Sequence, residues 1–217
     1  MKNKSFLLIG MGTFGHQLCL KLSERKNAEM MIVDIRPEAV EDLLPYVVSA
    51  KVGDCCDEKV LRSFGIHNFD ACFVCIGGNF QNSIQIASLL KELGARKVIA
   101  KAEQDVQAKF LLRNGADEVI YPEKEVAEKI AVRESNNAIF DYIELDEEYV
   151  ILEIEPNRRW LGNTIAGLSI RQEYNINILA VKRNGVISMM PAPDYVFNAD
   201  EHIVVMARQA DIDRITG

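Results

Sequence analysis

Ser5-Phe6-Leu7-Leu8-Ile9-Gly10-Met11-Gly12-Thr13-Phe14-Gly15-His16 is the stretch whose reading decides the fold. A short run of apolar residues ends in a glycine loop of the form G-x-G-x-x-G, and the loop runs into a helical pattern. Phe14, Leu18 and Leu22 recur at spacing four, which places them on one helix face. Strand, glycine loop and helix in that order are the phosphate-binding turn of a dinucleotide fold. Gly10 permits the tight turn, Gly12 lets the backbone approach a pyrophosphate, and Gly15 lets the helix pack on the sheet. Asp34 closes the next strand, where a carboxylate accepts hydrogen bonds from a ribose diol and repels a 2′-phosphate. Arg36 beside it weakens that exclusion.

Outward from this loop, apolar runs alternate with helical stretches as far as residue 121. The strands expected are 5–9, 30–35, 47–52, 71–76, 97–102 and 118–121. Helices are expected at 13–25, 37–44, 58–64, 79–93 and 105–114. Alternation of this kind implies a Rossmann-type, doubly wound parallel sheet, an α/β fold. Phe6-Leu7-Leu8-Ile9 and Met30-Met31-Ile32-Val33 are apolar without alternation, as strands covered on both faces must be. A helix over 122–134 leaves the sheet, and the pattern then changes. Strands at 142–145, 149–155, 177–182, 186–190 and 201–206, with a helix at 164–173, read as a second, smaller α+β C-terminal domain. Asn184-Gly185 between two of these strands is a two-residue hairpin signal. The domains expected are 1–134 and 135–217.

Ligands of open α/β sheets bind outside the carboxyl ends of the strands. Gly53-Asp54-Cys55 and Ile76-Gly77 end two strands at that edge, and Lys101 ends a third. Asp54 is placed either to touch a ligand or to cap the following helix. Lys101 is placed either to reach a terminal phosphate or to sit in solvent. The candidate nucleotide site is therefore Gly10, Gly12, Thr13, Phe14, Gly15, Asp34, Ile35, Arg36, Asp54, Cys55, Ile76, Gly77 and Lys101.

Composition narrows the function. The 217 residues carry a formal net charge of −7, with 48% hydrophobic and 26% charged residues, as in an ordinary soluble globular protein. An acidic chain without a basic block argues against nucleic acid as partner. The apolar run at the N-terminus is shorter than a signal peptide's and ends in a glycine loop, so it reads as a buried strand. No apolar run approaches the ~20 residues that span a bilayer. Five cysteines without a paired framework suit a reducing compartment, and Cys72-x-x-Cys75 lies in a strand-like run, where it reads as structural thiols. The three histidines, His16, His67 and His202, have no Asp or Glu at a telling spacing, so each reads as structural and the chain shows no obvious proton-transfer group of the kind a dehydrogenase needs.

With these motifs in order, the whole chain resembles the cytosolic regulatory subunits of Trk/Ktr potassium-uptake systems, which carry an RCK domain (TrkA-N plus TrkA-C). The resemblance rests on Gly10-Met11-Gly12-Thr13-Phe14-Gly15, Val33-Asp34, Val74-Cys75-Ile76-Gly77 and Lys101-Ala102. It extends through Gly115-Ala116-Asp117-Glu118-Val119-Ile120-Tyr121-Pro122-Glu123 to Ile178-Leu179-Ala180-Val181 and Pro191-Ala192-Pro193. It implies a non-enzymatic regulator that binds an adenine nucleotide (ATP, ADP or AMP) or NAD(H) in its first domain. It also implies a dimer assembled into an octameric ring against a membrane potassium-translocating subunit, and hence a cytoplasmic protein peripheral to the membrane. Asp34 would hold the ribose and Lys101 the phosphates. Glu123 matches a carboxylate that holds a divalent cation between subunits, or it is a first-turn helix acid favoured by the dipole. In the tail, Ile170, Arg171, Asn177 and Pro193 loosely match positions that bind cyclic di-AMP in some relatives. Thr13 stands where ATP-responsive relatives often carry arginine, which leaves NAD and AMP-type ligands open. The competing reading is an NAD-dependent oxidoreductase; a redox-sensing repressor would need a DNA-binding segment that the chain lacks.

Overall fold

The computed structural model describes residues 3–216. By its contacts the chain divides into two compact units, one ending at Lys124 and the other beginning at Glu125. This division falls earlier than the expected 134/135 boundary, inside helix α6 (Pro122–Ser135).

In the first unit, strands β1 (Lys4–Ile9), β2 (Ala28–Asp34), β3 (Ser49–Val52), β4 (Ala71–Val74), β5 (Val98–Lys101) and β6 (Glu118–Ile120) form one parallel sheet of order β3-β2-β1-β4-β5-β6. The order reverses between β1 and β4, the switch point at which doubly wound folds bind ligands. The helices are α1 (Thr13–Ser23), α2 (Glu38–Glu41), α3 (Glu58–Ser63), α4 (Phe80–Glu92) and α5 (Asp105–Arg113). Successive strand residues face opposite sides. Leu7 and Ile9 of β1 therefore enter the core with Val74, Ile86 and Leu90, while Leu8 enters a second core with Cys19, Ile32 and Leu43. Both Leu7 and Leu8 are fully buried, each contributing roughly 2 kcal/mol of hydrophobic stabilisation.

Two local expectations change. The helix expected over 37–44 is only the four residues of α2, followed by a 3-10 turn at Leu44–Tyr46, because Pro45 has no N–H to donate. Strand β4 stops at Val74, so Cys75 lies beyond it; Cys72 and Cys75 are both buried. Burial pushes both thiols up to about 12, so they stay protonated at neutral pH.

The second unit contains β7 (Ile139–Glu144), β8 (Tyr149–Ile154), α7 (Ile170–Tyr174), β9 (Asn177–Arg183), β10 (Val186–Met189), β11 (Glu201–Arg208) and α8 (Ile212–Thr216). Its sheet is antiparallel, in the order β10-β9-β11-β8-β7. Burial alternates strictly along β8 and β11, so one sheet face is the core, filled by Trp160 and Phe197. Asn184 and Gly185 both take positive φ (51° and 78°), as a type I′ hairpin turn requires. The helix expected over 164–173 is helical only from Ile170. Thr164 instead bridges to Val196 and its hydroxyl accepts from the Gly167 N–H, while Ser169 sits at φ 47°. These contacts and two glycines, Gly162 and Gly167, divert the segment from a helix.

On the other face of this sheet, Lys182 Nζ lies 2.8 Å from both oxygens of Glu153, and His202 Nδ1 lies 2.8 Å from Oε1. Burial raises the Glu153 carboxyl, but Lys182 and His202 outweigh it and hold it below the usual carboxylate range. A depressed folded value means that the stabilisation is present at neutral pH and is lost as pH falls below about 4.3. Glu153→Gln is expected to destabilise the second unit by about 2 kcal/mol at pH 7. That difference should shrink toward zero by pH 3. Equal destabilisation at both pH values would show that the charge is not responsible.

Candidate functional site

A cavity of about 330 Å³ in the first unit opens at the β1/β4 switch point. Its lining draws on the ends of four strands and the loops after them: Ile9, Gly10 and Gly12; Asp34, Ile35 and Arg36; Asp54, Cys55 and Cys56; Ile76, Gly77, Asn79 and Asn82. The loop glycines do three different jobs. Gly10 sits at φ +92°, and a Cβ there would lie 2.8 Å from Ile76 Cγ1. A Cβ on Gly15 would lie 2.1 Å from the Gly10 carbonyl oxygen, so α1 packs on its own loop only because Gly15 has no side chain. A Cβ on Gly12 would meet nothing within 4 Å, and its φ of −73° suits any residue. The fold does not need glycine at 12; the space in front of it does.

That space faces the start of α1. The first intrahelical bond runs from the His16 N–H to the Gly12 carbonyl. The N–H groups of Thr13, Phe14 and Gly15 precede it and have no intrahelical acceptor. No side chain caps this terminus and no acid sits in its first turn. An 11-residue helix with a bare positive end at a cavity suits a phosphate. Thr13 is exposed, Phe14 half-buried and Gly15 buried.

Asp34 forms the other wall. It is 7% exposed and accepts from the Met11 N–H (2.7 Å), the Arg36 N–H (2.9 Å) and Arg36 Nε (3.3 Å). The carboxylate thus ties the glycine loop to the end of β2. Asp54 makes an Asx turn with the Cys56 N–H at 2.9 Å, whereas the cap of α3 is Asp57, which accepts from the Lys59 N–H. The capping role open for Asp54 in the sequence belongs to Asp57. Burial, with Asp54 adding to it, pushes Cys55 up to about 12 and Cys56 to about 11.

Lys101 and Glu123, singled out for separate roles, are partners. Lys101 is 9% exposed, with Nζ 2.7 Å from Glu123 Oε1 and 3.4 Å from Glu103 Oε1. Burial pulls the ammonium down, but Glu123 and then Glu103 outweigh it, so its pKa lies above the usual lysine value. Lys101 holds the Glu123 carboxyl below the usual range. Neither residue lines the cavity. Lys101 and Glu103 stand against Gly77: a Cβ there would lie 3.3 Å from Lys101 Nζ and 2.0 Å from Glu103 Oε1.

Sequence reasoning missed Asn79 and Asn82. Asn79 caps α4 by accepting from the Asn82 N–H at 3.1 Å, and both residues line the cavity. An Asn three residues before a second Asn after a Gly-Gly pair was the available signal. The structure also gives two histidines carboxylate partners that sequence spacing does not show, His16 with Asp42 at 2.8 Å and His202 with Glu153. Neither histidine lines the cavity. In the second unit, Ile170, Arg171, Asn177 and Pro193 do come together, around a cavity of about 470 Å³ also lined by Ile165, Ile178 and Met206. Among the described residues no helix is long and apolar enough to cross a membrane, and no group of His, Cys, Asp and Glu is arranged to hold a metal ion.

Comparison with known proteins adds a second line. The TrkA-N domain model matches residues 6–122 and the TrkA-C domain model residues 149–216. Ktr system potassium uptake protein C of Bacillus subtilis (strain 168) is 39% identical over 211 residues, covering 97% of this chain and 95% of the relative. Ktr system potassium uptake protein A of the same organism is 37% identical over 214 residues, covering 99% and 96%. Among solved structures, the GsuK channel bound to NAD superposes with a TM-score of 0.70 at 16% identity. All of this chain is covered, but only 40% of the channel chain; at that identity the likeness concerns the fold.

Proposed function

The chain belongs to the family that joins a TrkA-N domain to a TrkA-C domain, and from that premise we propose that it is the nucleotide-sensing regulatory subunit of a potassium-uptake system. An adenine nucleotide or NAD(H) binds in the switch-point cavity. Binding alters a dimer within a ring, and the ring gates a membrane potassium-translocating subunit from its cytoplasmic side. The ligand acts by favouring one arrangement of the ring through differential contacts. Exposed Val106, Phe110 and Leu112 on α5 and Val126 and Ile130 on α6 supply apolar surface for contacts between copies.

The observation that carries this reading is the division of labour around the cavity. A bare helix end faces the space in front of Gly12, and Asp34 stands where a ribose diol would be read. On the β4 side, where the second half of a dinucleotide would lie, the lining is Cys75, Ile76, Gly77, Asn79, Asn82 and Ile86. Cys75 is held at about 12, and none of the others donates or accepts a proton near neutral pH. That side of the cavity offers no group to pass a proton to or from a substrate during hydride transfer, which favours a sensor over an oxidoreductase.

Two ligand assignments extend the reading. A divalent cation at Glu123 between subunits would have to share that carboxylate with Lys101. The C-terminal cavity sets Arg171 among Ile165, Ile170 and Ile178, a combination suited to the phosphates and adenines of cyclic di-AMP.

Thermal unfolding tests the proposal directly. At a ligand concentration 100 times its Kd, stabilisation is about 2.7 kcal/mol. That is a rise in Tm of several degrees for a domain of this size. ATP, ADP, AMP, NAD+ and NADH are the five ligands to compare. No shift with any of them, or sustained NADH turnover, would remove the sensor reading.

A further inference from the structure

The hydrogen-bond capacity of Asp34 singles out Arg36. A carboxylate offers about four acceptor positions. Three are already taken, by the Met11 N–H, the Arg36 N–H and Arg36 Nε. A ribose diol brings two O–H donors to this group. Five donors do not fit on four positions, so one must leave. The two backbone donors are fixed by the glycine loop and by the turn after β2, at 2.7 and 2.9 Å. Arg36 Nε is the longest contact, at 3.3 Å, and the only one on a side chain that can move. The Arg36 side chain is 56% exposed and also lines the cavity.

Resting on the nucleotide reading above, we propose that Arg36 is a displaceable counter-ion of Asp34 and the residue that sets how strongly the site reads the ribose 2′-hydroxyl. In the empty site the guanidinium neutralises a nearly buried carboxylate. A full diol displaces Nε, and the freed guanidinium then lies at the cavity mouth beside the ligand. A 2′-deoxyribose brings one O–H, fills the fourth position and leaves Arg36 in place. The tether therefore weakens discrimination between ribose and deoxyribose, because only the ribose has to break it.

The test compares ADP with 2′-deoxy-ADP by calorimetry in the full-length wild-type protein, in Arg36→Gln and in Arg36→Lys. Both variants keep the backbone N–H on Asp34, and residue 36 is exposed enough for them to fold. Wild type should prefer ADP by only about threefold, because the new hydrogen bond to a charged group, worth roughly tenfold or more by itself, is offset by the lost Arg36 contact. In Arg36→Gln, which has no cation to displace, that preference should rise severalfold even if affinity for both ligands falls. Arg36→Lys, which keeps a cation but loses the Nε donor, should lie between wild type and Arg36→Gln. The Arg36 Nε–Hε resonance in NMR should move with ADP and stay with 2′-deoxy-ADP. An unchanged preference in both variants, or equal movement with both ligands, overturns this proposal and leaves the nucleotide reading standing. No binding of either ligand to the wild-type protein overturns this proposal, and the nucleotide reading falls with it only if ATP, AMP, NAD+ and NADH also fail to bind.

Discussion

Gly15→Ala is expected to destabilise the first unit by on the order of 3 kcal/mol or more, and to leave the second unit folded. The added Cβ would lie 2.1 Å from the carbonyl oxygen of Gly10 and 3.1 Å from Cys75 Cβ. The first neighbour is backbone in a turn that Gly10 holds at φ +92°, so it cannot swing aside as a side-chain tip would. Relief requires α1 to lift off β1, pulling Leu18, Cys19 and Leu22 away from the core that contains Leu8 and Ile32. Overpacking of this kind commonly costs about 1–3 kcal/mol, and more where the obstruction is backbone. The chain contains one tryptophan, Trp160, fully buried in the second unit's core. Its fluorescence in a urea titration follows that unit, while far-UV circular dichroism follows both. Separation of the two curves in the variant, with only the dichroism shifted to lower urea, is the expected result. A loss under 1 kcal/mol would mean that the contact between Gly15 and Gly10 relaxes easily and does not lock the loop.

Gly12→Ala should have the opposite profile. Its Cβ meets no atom within 4 Å and its backbone is unstrained, so stability should stay within about 0.5 kcal/mol of wild type. Nucleotide affinity should fall by roughly 100-fold, because the methyl stands where the pyrophosphate has to approach the loop amides. Titration of ADP or NAD+ into the folded variant reads this directly. Retained affinity would show that phosphates do not sit over the loop. Together the two substitutions separate a glycine that the fold needs from one that a ligand needs, although the sequence motif presents them alike.

Much of the site was legible because it follows from local rules. A strand, a glycine loop and a helix in succession fix where a helix end lies, and an acid at the end of the next strand must fall at the same sheet edge. Gly10, Gly12, Asp34, Ile35, Arg36, Asp54, Cys55, Ile76 and Gly77 all line one cavity for that reason. Thr13, Phe14, Gly15 and Lys101 do not line it, though the same pattern includes them. The first three belong to the helix terminus behind Gly12. Lys101 is diverted by Glu123 and Glu103, which reach it from a neighbouring helix and loop. Sequence distance hid the pairs of His16 with Asp42 and His202 with Glu153 in the same way, since each joins separate elements.

The C-terminal unit divides along similar lines. The strands expected at 149–155 and 201–206 and the Asn184-Gly185 turn rest on short-range signals, and the structure contains all three. The segment from Thr164 to Ser169 departs from expectation, because the bridge from Thr164 to distant Val196 and the bond from the Gly167 N–H to the Thr164 hydroxyl hold it out of the expected helix.

By itself, then, the sequence determined the layered parallel sheet, the hairpin, the sheet edge at which the candidate cavity opens, and the loop from Gly10 to Gly15. These depend on periodicity and on which residues lack a side chain. Only the tertiary structure decided that Gly15 serves packing while Gly12 leaves open space. It also decided that Lys101 is bound to Glu123, and that Asp34 has a single acceptor position left. Those outcomes depend on through-space contacts of a few ångströms between elements far apart in the chain, and no local pattern encodes such distances.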